Sequence, residues 1–214
     1  MMKGLLTKEL LVLFRTNKMQ LIFIVMFIIL GVFLKNQVYI MFVPLLLPML
    51  TKQVLAVDET SKWDRYSACF PVDRKKIVTS KYLVILISAL IAVALTAVSF
   101  TLMKYIKTTV FDDTVIDIKA YLGIAVAESL ILPSLAYPFD FKFGTAKGRI
   151  MYYIVVGVGV AGISASMMGI SSKANLLSKI SNPSTLALIC VAASVVVFAV
   201  SWFISSKVYE AREI

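Results

Sequence analysis

Six apolar runs, each near twenty residues long and parted by short polar stretches, leave this chain few ways to fold. A helix needs about twenty mainly apolar residues to cross the hydrocarbon of a bilayer. Lipid offers the backbone no partner but itself, so helices are the form such runs take. The runs cover 19–34, 38–57, 83–103, 121–139, 150–170 and 185–206. The first is short and borrows a turn from its flanks. Of the 214 residues 60% are hydrophobic and 16% charged, more apolar surface than one soluble core can hide. The expected fold is therefore all-α: a single polytopic membrane domain over 1–214 with six transmembrane helices.

Residues 1–18 set Lys3, Lys8, Arg15 and Lys18 among leucines and Phe14, the pattern of an interfacial helix with a basic edge. A cleaved signal peptide fits less well, because the polar lead is long and no small-x-small site follows Leu34. Lys35, Asn36 and Gln37 make a tight connection, so the first two spans are expected as antiparallel neighbours. With the N-terminus inside, sixteen of the 22 Lys and Arg residues fall on inner segments and six on outer ones. That asymmetry places both termini in the cytoplasm of a cell membrane. Cys69 then lies in a reducing compartment and Cys190 within a span, so neither is expected in a disulfide.

Between the second and third spans lies the longest polar interruption, 58–82. Asp58 and Glu59 carry acceptors and negative charge suited to a helix N-terminus. Trp63, Tyr66 and Phe70 recur at i, i+3 and i+7, which sets three rings on one face, while Lys62, Asp64 and Arg65 point elsewhere. Pro71 stops this helix. Asp73 can cap a second one that runs through Lys81 and Tyr82 into the membrane.

Several chemistries are excluded. Two cysteines and no histidine argue against a zinc site, a haem pocket or a disulfide framework, and serines without histidine lack the usual triad base. The net charge of +10 is that of basic inner loops, and no basic run carries the interleaved aromatics of a nucleic-acid platform. No phosphate cradle of the G-x-x-x-x-G-K-[ST] kind is present, so this chain does not bind ATP by that route. Gly157-Val158-Gly159-Val160-Ala161-Gly162 matches G-x-G-x-x-G but sits within an apolar run, where small residues four apart, such as Gly162 and Ser166, serve helix packing.

Two features within the spans have open readings. Pro44 and Pro48 in the second span and Pro133 and Pro138 in the fourth either hinge their helices or reflect the ordinary frequency of proline in membrane helices. Glu128 lies two turns into the fourth span, where an ionised carboxylate costs several kcal/mol unless a cavity or partner receives it. It either lines a substrate path, with Ser164 and Ser166 as further polar marks, or is satisfied locally near the outer interface. Lys52 is a poor partner for it, since it sits toward the inner surface and can snorkel there.

The run Asp58-Glu59, Lys62-Trp63-Asp64-Arg65-Tyr66, Pro71-Val72-Asp73-Arg74, Ile77-Val78 and Ser80-Lys81-Tyr82 resembles the loop after the second span of bacterial ABC-2 type ABC transporter permeases. The opening from Met2 to Leu10 is similar to that family's start, and the span layout agrees over nearly the whole chain. Within the family the chain most resembles small Gram-positive exporters of phenol-soluble-modulin-like peptides; its short outer loops depart from larger permeases and leave no bulky outer gate. The resemblance implies a non-enzymatic permease subunit of an ATP-driven exporter of amphipathic or hydrophobic cargo, with no cofactor of its own. ATP and Mg would be bound by a separate ABC ATPase. That ATPase would hold the helix bearing Trp63, Tyr66 and Phe70 in a groove. Asp58, Glu59, Asp64, Arg65, Asp73 and Arg74 would serve at its rim or anchor the elbow to the bundle. A second permease, a copy or a paralogue, would complete the path, with lipid around it. Two other classes stand beside this one: a secondary transporter driven by an ion gradient, which needs more inward-facing ionisable residues than Glu128, and a non-transporting immunity or scaffold protein.

Overall fold

Two of the long helices run straight through prolines, and one of those prolines shows how the bundle absorbs the damage. The computed structural model describes residues 2–34, 37–67, 69, 73–106, 118–150, 153–154 and 183–211. Seven helices are labelled here: α1 (Met2–Thr16), α2 (Lys18–Phe33), α3 (Gln37–Thr60), α4 (Trp63–Ser67), α5 (Arg74–Ile106), α6 (Ile118–Phe143) and α7 (Pro183–Glu210). Four of them, α3, α5, α6 and α7, are long and apolar enough to cross a membrane; the bent pair α1 and α2 makes up to five. The expected span over 150–170 lies almost wholly outside the described residues, as do Gly157 to Gly162, Ser164, Ser166 and Phe70.

Helix α2, with 16 residues, is about 24 Å long at 1.5 Å per residue, short of the roughly 30 Å of hydrocarbon. It meets α1 at a bend of 72°. Asn17 holds that bend: its side-chain amide donates to the Leu13 carbonyl at 2.9 Å and to the Leu50 carbonyl of α3 at 3.3 Å. Leu13, Ile24, Val43, Leu47, Leu50, Val54, Val84 and Ala92 form the core where α1, α2, α3 and α5 meet. Helices α2 and α3 press together where Ile40 packs on Gly31, a position with no room for a Cβ.

A second core joins α3, α5, α6 and α7 through Leu55, Ile77, Tyr82, Tyr137, Phe141 and Tyr209. Tyr82, Tyr137, Phe141 and Tyr209 meet edge to face in sequence, with centroids 5.5 to 5.8 Å apart. Pro138 has no N–H to give the carbonyl of Ser134 four residues back, and Ser201 of α7 donates its hydroxyl to that carbonyl at 2.5 Å. Ser201 has one proton. Tyr82 therefore donates to Ser201 Oγ at 2.7 Å, and Ser205 donates to the Tyr82 oxygen at 2.8 Å. A proline in α6 thus becomes a seam of hydroxyls across three helices.

Candidate functional site

The ends of α3 and α6, the starts of α4 and α5, and the middle of α1 come together at one end of the bundle, here the elbow end. The sequence places Asp58 and Glu59 at the start of an amphipathic elbow helix; in the structure they belong to the last turn of α3, which runs on to Thr60. Both carboxylates find partners on other elements, so α3 continues through them. The stop comes at Lys62, whose φ of 53° is left-handed and whose N–H donates to the Glu59 carbonyl at 3.1 Å. What remains of the elbow helix is α4, five residues long.

Asp58 turns inward. Its two carboxylate oxygens accept from Lys8 of α1 and Lys81 of α5, and Glu9 of α1 accepts from the same two ammonium groups at 3.3 and 3.1 Å. The four charges alternate around a closed ring, so the cluster is neutral. Glu9, Asp58 and Lys81 are buried, at 1%, 4% and 4% exposure. A charge there is tolerated only because each one is paired twice. Trp63 of α4 lies under Lys8, with its ring 4.3 Å from Nζ.

Glu59, the next residue, turns the other way. Its Oε2 accepts from the backbone N–H of Thr145, at 2.7 Å, and from the Thr145 hydroxyl, so the carboxylate sits at the N-terminus of the helical residues 145–150. Gly144 makes this turn possible, with a φ of 81° and the Glu59 carboxylate against its Cα. Asp58 therefore ties the elbow to α1 and α5, and Glu59 ties it to the end of α6.

The remaining elbow residues lie outside this clasp. Tyr66 is 64% exposed, and Trp63 is half-buried. The two rings expected on one face thus divide, Trp63 inward and Tyr66 outward. Asp64 and Arg65 lie in α4. Asp73 precedes the first turn of α5 and pairs with Lys76 at 2.7 Å, both exposed; the bond and charge of Lys76 hold its carboxyl below the ordinary value of 3.8. Arg74 donates to the Glu210 carbonyl at the end of α7, at 3.2 Å.

Helix α6 runs past the expected boundary at 139, which brings Asp140 into the bundle as a buried acid in the same helix as Glu128. Lys52, expected to snorkel to the inner surface, has its Nζ 3.6 Å from Asp140. Glu128 is half-buried in α6, and its Oε2 has no hydrogen-bond partner among the described residues. Sequence reasoning missed Lys8 and Lys81 as partners of Asp58, and Glu9 as the second acid that shares them. The available signal was charge itself: a carboxylate in the last turn of a spanning helix needs cations on its neighbours.

Residues 4–210 match the family described as ABC-2 family transporter protein, and the chain belongs to that family. No curated protein matches the chain. The family is that of multi-pass permease subunits that are themselves normally non-catalytic and work with an ABC ATPase.

Proposed function

We propose that this protein is the permease of an ATP-driven ABC exporter in a bacterial cell membrane, and that the elbow end faces the cytosol and receives the ATPase. Six spans and cytoplasmic termini complete this reading, the sixth crossing being supplied by 150–170. One observation carries it: α4 is small and presents Tyr66 outward, while Asp58 and Glu59 beside it, at the end of α3, are fastened to α1, to α5 and to the turn after α6. A push on α4 is then delivered to α1, α3, α5 and α6 together rather than dissipated in a loop.

Tyr66 is the anchor in the ATPase groove, Phe70, Asp64, Arg65 and Asp73 contribute to the same contact, and Trp63 is the post between anchor and clasp. Arg74 holds the start of α5 to the end of α7. ATP and Mg stay with the ATPase, and two permeases with two ATPases form the working unit. The cargo is an amphipathic or hydrophobic molecule, with an amphipathic peptide favoured by the resemblance to small peptide exporters; Glu128, Ser164 and Ser166 mark its path. The test is copurification of the ATPase with Tyr66→Ala and Trp63→Ala permeases. Loss of the ATPase from Tyr66→Ala, with the permease still folded, is expected. Unchanged copurification and unchanged transport-linked ATP hydrolysis in both variants would refute the assignment.

A further inference from the structure

A cavity of about 500 Å³ opens between α2, α3 and the residues that follow α6. Its volume is that of a small-molecule site. One part of its wall is apolar, formed by Phe23 and Phe27 of α2 with Leu46 and Met49 of α3. The other part is charged: Lys52, Asp140 and Arg149. Asp140 is 3% exposed, and the Lys52 ammonium 3.6 Å away offsets its charge. Arg149 is exposed and supplies one positive charge in excess.

We propose that this cavity binds a single-chain amphiphile by its anionic head, a phosphate or carboxylate. The head lies against Arg149 and Lys52, where the guanidinium fork takes two oxygens and the ammonium adds a point charge. The alkyl part lies along Phe23, Phe27, Leu46 and Met49, out of water. Asp140 is the one acid among the three charged wall residues: paired with Lys52, it offsets that ammonium and repels the head, so it weakens binding. Binding needs no ATPase; only the cavity's use as a loading point for cargo rests on the transport reading above.

The experiment uses the full chain in phosphatidylcholine nanodiscs with a photoreactive dodecanoic acid, competed by dodecyl phosphate or by dodecyltrimethylammonium. A saturable adduct on the peptides of α2 and α3 is expected, displaced by the phosphate and not by the ammonium. Arg149→Gln, a change at an exposed residue, should raise the half-displacing concentration of dodecyl phosphate about tenfold. Asp140→Asn should lower it, which a purely structural role for that acid would not do. Met49→Trp should fill the cavity and abolish the adduct while thermal unfolding shows the fold intact. The proposal is overturned if the ammonium competes as well as the phosphate, or if Arg149→Gln leaves the half-point unmoved. Arg149→Gln should still copurify with the ATPase, so a failed docking assignment and a failed cavity assignment give different results.

Discussion

At the clasp, four charged side chains occupy a space that lipid and apolar helices would otherwise fill, and the balance among them decides whether the elbow end holds together. Removing one member leaves an unpaired buried charge, which costs about 3–5 kcal/mol. Lys81→Met should therefore lower the unfolding midpoint of the purified permease sharply, and Lys81→Met with Glu9→Gln should recover part of the loss, because the double change restores neutrality. If the double variant is no better than the single one, the ring is not a coupled unit. Asp73 is the contrasting case, exposed and paired once. Its folded carboxyl titrates below 3.8, so whatever its pair with Lys76 contributes is present above that pH and fades as pH falls through the lowered value. The stability gap between wild type and Asp73→Asn should be small at neutral pH and should close under acid conditions; a gap that widens as pH falls would contradict the pairing.

Four of the six expected spans were legible in the sequence, because lipid enforces length and apolarity and little competes with that signal. The expected spans 38–57, 83–103, 121–139 and 185–206 sit inside α3, α5, α6 and α7. What the sequence concealed was how helices end. Asp58 and Glu59 have the character of a helix start, yet α3 carries on through them, since partners 23 to 86 residues away satisfy both carboxylates. Local capping rules see only neighbours. The same blindness split Trp63 from Tyr66: spacing put both on one face, and Lys8 drew one of them inward. Gly144 shows what such an ending requires. A Cβ there meets the Glu59 carboxylate, and the left-handed backbone disfavours any L side chain by about 1–2 kcal/mol. Gly144→Ala should cost at least that much stability and loosen 145–150, read as faster amide exchange at Thr145; unchanged exchange would show that Glu59 does not depend on this turn.

Across the whole molecule, the elbow end concentrates charge, short connections and the outward Tyr66, while the middle of the bundle is apolar with a seam of hydroxyls. Such an arrangement suits a body that moves as linked rods when one end is pushed. Its orientation is testable with a native residue, because Cys69 is exposed in the elbow. A membrane-impermeant maleimide should label Cys69 in inverted vesicles and spare it in intact cells; the opposite result would turn the topology over. The central claim is that α4 touches an ATPase, and a photoreactive phenylalanine at position 66 asks this in the membrane itself. Illumination should yield an adduct with a polypeptide that mass spectrometry identifies as an ABC ATPase, while the same probe at exposed Val195 of α7 should not. Adducts at position 66 confined to lipid, with the ATPase present and active, would contradict the account.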